Sequence, residues 1–171
     1  MIVWLIGMSG AGKTAVGTRV TAALKPHLRD LVRLDGDLLR EVWGDDLGHD
    51  LTARETNAGR ISRLCAMLDR QGVHVVASVL SVFPDWQAWN RTTFSQYFEV
   101  FLDAPMHVLR ARDTKGIYAA AEAGRMSDVV GVDIPFPRPA HPDLVLDSHG
   151  PDNTPDRLTE RIVTAVTERI R

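Results

Sequence analysis

The residue types able to do chemistry gather first at Gly7-Met8-Ser9-Gly10-Ala11-Gly12-Lys13-Thr14, which has the spacing GxxxxGK[ST]. Glycines let a backbone curl until successive N–H groups face phosphate oxygens. A helix opening behind them adds the positive end of its dipole. In such a loop Lys13 reaches the β- and γ-phosphates of ATP, and the Thr14 hydroxyl ligates Mg²⁺. Gly7, Ser9, Gly10, Ala11, Gly12, Lys13 and Thr14 are therefore the expected donor-nucleotide contacts. A bare glycine turn preceding a lysine is the plainer alternative.

A second group follows at Asp35-Gly36-Asp37, with Arg40, Arg54, Asn57 and Arg60 beyond it. A carboxylate at Asp35 can orient an acceptor hydroxyl, take its proton or help hold Mg²⁺. On one helix Arg54 and Asn57 share a face, with Arg60 close to Asn57. Arginines there can hold a phosphate or sulfate bidentately. The competing reading is solvated surface pairs, which contribute little. A third group, Arg110, Arg112 and Lys115, straddles the start of a Gly- and Pro-rich segment. That is what a lid closing over phosphates requires. Arg110 also suits the C-terminal end of a helix dipole.

The elements that must position these groups alternate. The apolar run Ile2–Ile6 reads as a buried strand emptying into the glycine loop, and Val16, Val20, Ala23 and Leu24 mark one side of the helix after it. Residues 31–34 form a second strand, delivering Asp35 to its carboxyl end, where ligands collect in open α/β sheets. A short helix covers residues 38–43. Thr52 and Glu55 have capping-box spacing, predicting a helix over 52–70 that stops at Gly72. Strands follow at 73–80, 97–102 and 144–146, with helices at 85–94 and 106–113 and a last one behind Thr154-Pro155. Residues 114–142 lack long periodicity and read as a mobile flap, with 119–123 open to a helical turn. The expected fold is α/β: a three-layer α/β/α arrangement of the P-loop NTPase type, a five-stranded parallel sheet and a flexible lid over about 112–142.

The 171 residues suit a single kinase domain spanning 1–171. A formal charge of −2 gives no argument for a nucleic-acid partner. No apolar run approaches a membrane span and the start is unlike a signal peptide, so the expected location is cytoplasmic, without membrane association. Cys65, the single cysteine, lies among Ile61, Leu64 and Leu68 and reads as a small buried hydrophobe. The histidines show no zinc spacing, so the Mg²⁺ that accompanies ATP is the expected metal.

Taken together, GMSGAGKT at 7–14, LDGDLLR at 34–40, DLGHDLTARETNAGRI at 46–61, RDTKGIYAAAEAG at 112–124, VVGVDIPFPRP at 129–139 and HPDLVLD at 141–147 resemble the adenylyl-sulfate kinase (APS kinase) family over nearly the whole chain. The resemblance implies transfer of the ATP γ-phosphate to the 3′-hydroxyl of a sulfated adenine nucleotide, with ATP and Mg²⁺ required. It implies that Asp35 is the catalytic or Mg-organising carboxylate beside Lys13. It puts Asp37, Arg40, Arg54, Asn57 and Ser81 on the acceptor nucleotide, a small molecule, and Arg112 and Lys115 in the lid. It also leaves a homodimer open. Two positions depart from the family: His49 and Val129 stand where its members carry the phenylalanines that sandwich the acceptor adenine. Stacking is worth on the order of 1–3 kcal/mol per base. The departures resemble a branch that includes kinases of cytidine diphosphoramidate, so a pyrimidine nucleotide is the alternative acceptor, and a nucleotide-binding module without turnover the third. Trp86 and Trp89, three apart on a helix, read as core or as a new platform for that acceptor.

Overall fold

The computed structural model describes residues 1–44 and 46–170. Five strands, β1 (Ile2–Ile6), β2 (Leu31–Asp35), β3 (His74–Val79), β4 (Tyr97–Asp103) and β5 (Leu144–Asp147), form one parallel sheet in the order β2-β3-β1-β4-β5. Central β1 is buried along its whole length, because strands pair with both of its edges and helices cover both faces.

The two-residue period of a strand sorts its side chains between the layers. Val3 and Leu5 point toward α1 (Lys13–Leu24) and the last helix, α7 (Pro155–Arg169), joining Val16, Val20, Leu158 and Ile162. Ile2, Trp4 and Ile6 point the other way, toward Leu39 of α2 (Gly36–Val42), Ile61 and Cys65 of α3 (Leu51–Arg70) and Phe94 behind α4 (Pro84–Thr93). Each fully buried Val, Leu or Ile in these layers is worth roughly 1.5–3 kcal/mol. Cys65 is fully buried, as expected, and burial pushes its thiol up to about 12. No helix among the described residues is long and apolar enough to cross a membrane.

Three local expectations need correction. The buried stripe of α1 runs through Val16, Gly17, Val20, Thr21 and Leu24, and Ala23 is exposed. The helix must face both the sheet and α7, which turns the stripe toward its 17–21 edge. Helix α3 starts one residue earlier than the capping box suggests, so Asp50 is its cap, accepting from the Ala53 N–H at 3.0 Å. The stretch read as a flap folds into defined pieces. After α5 (Met106–Ala111), the Asp113 carboxylate accepts from the N–H groups of Ile117, Tyr118 and Ala119, opening α6 (Ile117–Glu122). Further on, Val130 pairs with Ile134, and both are buried.

Candidate active site

A cleft of about 1080 Å³ lies at the carboxyl ends of β1, β2 and β3, bounded by the start of α1, by α2 and α3, and by the 112–130 segment. One wall is the glycine loop. Gly12, at φ 90°, turns the chain into α1 from the left-handed region that favours glycine. Lys13 Nζ donates to the Met8 carbonyl at 2.9 Å, folding the side chain along the loop. Burial pushes the Lys13 ammonium down to about 8; Asp37 and Asp35 pull it upward, while Lys115 adds to the depression.

Asp35 stands at the end of β2 and is 7% exposed. Its Oδ2 accepts from Thr14 Oγ1 at 2.8 Å and from Arg33 at 3.3 Å, and its Oδ1 caps α2 through the Asp37 N–H at 3.1 Å. A carboxylate two residues from Asp37 and one hydrogen bond from the loop threonine thus ties β2 to the phosphate loop. Asp37 reaches across the cleft mouth to Lys115 in a direct ion pair. Burial raises the Asp37 carboxyl, but Lys115, Lys13 and Arg40 together outweigh it and hold the group below the usual range.

The facing wall is α3 with the chain after β3. Arg54 donates from Nη2 to the Asp128 carbonyl at 2.7 Å, joining α3 to the return limb of the 112–130 segment, and its Nε is buried without a partner. Burial, then the neighbouring Arg40, lowers the Arg54 guanidinium. Asn57, 8% exposed, accepts the Trp43 indole N–H on Oδ1 at 3.1 Å. Ser81 adopts φ 56°, and the Trp4 indole N–H and the Gln87 amide both approach its Oγ at 3.3 Å. Arg40 donates to the carbonyls of Leu47 and Gly48 at 3.1 and 2.9 Å, and so anchors the loop that presents His49. His49 lines the cleft, its imidazolium disfavoured by burial, then by Arg40 and Arg54. Val129 also lines it but is 3% exposed and packed into the core.

Over the mouth, Tyr118 is buried and donates to the Ser9 carbonyl at 3.0 Å, and Arg112 donates to the Ser148 carbonyl at 2.8 Å. The cleft therefore brings together Ser9, Gly10, Gly12, Lys13, Thr14, Asp35, Asp37, Arg40, His49, Arg54, Asn57, Ser81, Arg112, Lys115 and Val129. Gly7 and Ala11 are buried behind the loop. Arg60 stands outside, held to Asp46 by two 2.7 Å hydrogen bonds, and Arg110 pairs with Glu122 at 2.9 Å, also outside. Among the described residues no cluster of His, Cys, Asp and Glu forms a metal site.

The two tryptophans of α4 divide. Trp89 packs against the core with Phe94, whereas Trp86 lies half-buried in the cleft wall with Arg63 over its ring at 4.9 Å. Trp86 rests on Gly59, where a Cβ would meet its indole at 2.6 Å. Trp43, Gln87, Tyr118 and Asp128 are site residues that spacing alone misses. Each acts through a tertiary hydrogen bond, which leaves no local trace in the sequence.

A central parallel strand emptying into a phosphate loop, faced across one cleft by an arginine-bearing helix, defines a P-loop phosphotransferase. More particularly, the chain belongs to the adenylylsulphate kinase family, whose model matches residues 1–147. It is an enzyme that phosphorylates a hydroxyl group. The adenylyl-sulfate kinase of Rippkaea orientalis is 38% identical over 146 residues, covering 83% of this chain and 78% of that one. The cytidine diphosphoramidate kinase of Campylobacter jejuni is 34% identical over 157 residues, covering 92% and 91%. The Mycobacterium tuberculosis APS kinase solved with AMPPNP and APS superimposes with a TM-score of 0.87 at 33% identity, covering 97% and 96%.

Proposed function

We propose that this chain transfers the γ-phosphate of ATP to the 3′-hydroxyl of adenosine 5′-phosphosulfate, giving 3′-phosphoadenosine 5′-phosphosulfate. The observation that carries the reading is the placement of Lys13 and the Thr14–Asp35 pair opposite Arg54 and Asn57 in one cleft. Lys13 neutralises charge on the β- and γ-phosphates, and the loop N–H groups hold the polyphosphate. Asp35 orients the acceptor hydroxyl and takes its proton as the hydroxyl oxygen bonds to phosphorus and the bond to ADP breaks. Arg54 and Asn57 fix the acceptor's anionic 5′ end, so positioning supplies most of the rate. The Thr14 hydroxyl and Asp35 carboxylate are two hard oxygen donors 2.8 Å apart, a set that suits Mg²⁺. When bound there, the ion would neutralise charge on the phosphate oxygens. The lid segment excludes water from the transfer.

A specific observation favours a second acceptor. His49 is exposed and Val129 is sunk in the core, so the cleft lacks the two phenylalanine faces that the resemblance assigns to an adenine. A pyrimidine such as that of cytidine diphosphoramidate needs less stacking surface. ADP release from Mg-ATP, measured with each 3′-hydroxyl nucleotide in turn, tests the proposal. Release should depend on the added acceptor, be fastest with adenosine 5′-phosphosulfate, and vanish in Lys13→Ala and Asp35→Ala. Acceptor-independent hydrolysis, or full activity in either variant, refutes it.

A further inference from the structure

Among the described residues four carboxylates line the cleft. Asp35 is tied to Thr14 and Asp37 to Lys115, and Glu41 stands exposed on α2. The fourth, Asp128, is half-buried and held from two directions. Its carbonyl accepts from Arg54 at 2.7 Å and its Oδ2 from the Ser127 hydroxyl at 2.9 Å, which leaves Oδ1. Its backbone sits at φ 62°, in the left-handed region, a conformation that costs energy outside glycine and persists where the surroundings enforce it. Asp128 also stands close enough to the His49 imidazole to oppose, with Asp37, the depression that burial, Arg40 and Arg54 impose on it, so the two side chains share one rim of the cleft. A fixed carboxylate beside the site of an anionic nucleotide repels its ligand unless the ligand brings it a donor. In the proposed pose the ribose is held at two points, its 3′-hydroxyl at Asp35 and its 5′ anion at Arg54 and Asn57. The 2′-hydroxyl, next to the 3′, stays on the Asp35 side. The arm that remains is the base, and the rim beside Arg54 is where Asp128 stands. The donor a base brings is its exocyclic amine.

We propose that Asp128 is a specificity-determining residue that accepts a hydrogen bond from the exocyclic amine of the acceptor base, so that the enzyme takes amino-bearing bases and rejects their oxo counterparts. This rests on the acceptor reading above and adds the substrate class: a nucleotide of adenine or cytosine rather than of hypoxanthine or uracil. Carboxylates read the cytosine amine by the same contact in nucleic-acid recognition. An oxo base puts a carbonyl oxygen against the carboxylate instead, so two acceptors meet and neither is paired. Sites built around a specific hydrogen bond discriminate strongly for this reason.

The test uses acceptors matched in their 5′ chain: adenosine 5′-phosphosulfate against inosine 5′-phosphosulfate, and cytidine 5′-phosphosulfate against uridine 5′-phosphosulfate. Within whichever pair turns over, kcat/KM should favour the amino member by about tenfold or more. Asp128→Asn keeps the size of the side chain and its tolerance of the left-handed region, so the carbonyl contact with Arg54 is retained. Its amide can turn either oxygen or NH₂ to the base, so the oxo member should gain and the preference fall several-fold, while KM for ATP stays unchanged. Asp128→Gly keeps the backbone and removes the side chain, and should bring the two members of a pair level; it also serves if the asparagine variant proves unstable. Glu41→Gln, at the other carboxylate without a partner on the rim, should leave the preference as it was. Turnover with no preference for the amino member, a preference that survives in both Asp128 variants, or one lost in Glu41→Gln overturns the inference and leaves the kinase reading standing. No turnover on any of the four acceptors removes the kinase reading itself.

Discussion

Raising the pH of the free enzyme should discharge Lys13 well before any ordinary lysine. Burial brings its ammonium from 10.5 down to about 8, with Lys115 adding to the fall and Asp37 and Asp35 resisting it. At about 1.4 kcal/mol per pH unit, that difference amounts to roughly 3 kcal/mol of disfavoured charge. A group titrating near 8 is about nine-tenths charged at pH 7 and about one-tenth charged at pH 9, so kcat/KM for Mg-ATP should drop about tenfold between them. The polyphosphate of bound ATP restores the charge, so kcat itself should stay nearly flat over the same range. Steady-state assays at saturating acceptor, from about pH 6.5 to 10, separate the two. The same shift sets a stability trend. The folded protein releases the Lys13 proton near 8 and the unfolded chain near 10.5, so between them the unfolded state holds more protons and stability climbs with pH. Below about 8 the cost is present in full. Lys13→Met should therefore be more stable at pH 7, by about 1–3 kcal/mol once partial solvation of the cleft is allowed for, and unfold at higher temperature, while losing turnover. A kcat/KM profile flat to pH 10, together with no stabilisation by methionine, refutes the reasoning.

Tyr118→Phe removes the hydroxyl that ties the 112–130 segment to the Ser9 carbonyl. A neutral hydrogen bond is worth about 1 kcal/mol, so KM for ATP should rise about fivefold with thermal stability only slightly lowered; kinetics with ATP varied check this. His49→Phe replaces the imidazole with a larger, apolar aromatic face where the cleft is open. It should tighten adenine acceptors about tenfold, read by calorimetric titration with adenosine 5′-phosphosulfate. The companion change Val129→Phe, by contrast, would overpack a side chain that is 3% exposed.

Legibility in the sequence followed the range of the interaction. The glycine loop, the strand before it and the helix after it are set by neighbours within about twenty residues, and their periodicities show them directly. Asp35 was readable because the carboxyl end of a parallel strand is where ligands collect. Arg54 and Asn57 were readable as one helix face. Arg60 was not, because two bonds to Asp46 draw it off that face, and nothing in its helical spacing encodes a partner fourteen residues upstream. Arg40 lines the cleft, but its hold on the Leu47 and Gly48 carbonyls depends on how a loop folds back. The 114–142 stretch hid its order because short pieces pinned by Asp113 and by the Val130–Ile134 pairing never build a full period.

Gly59 in the middle of α3 is a poor helix residue, weaker than alanine there by about 1 kcal/mol, and the indole of Trp86 lying against it leaves no room for a methyl group. The two positions are therefore sterically coupled. A lineage that keeps this tryptophan forfeits every larger residue at 59, and one that trades it for a small side chain is free to restore alanine and gain a firmer helix. Tracing which of the pair changed first among relatives would date when this wall of the cleft took its present form.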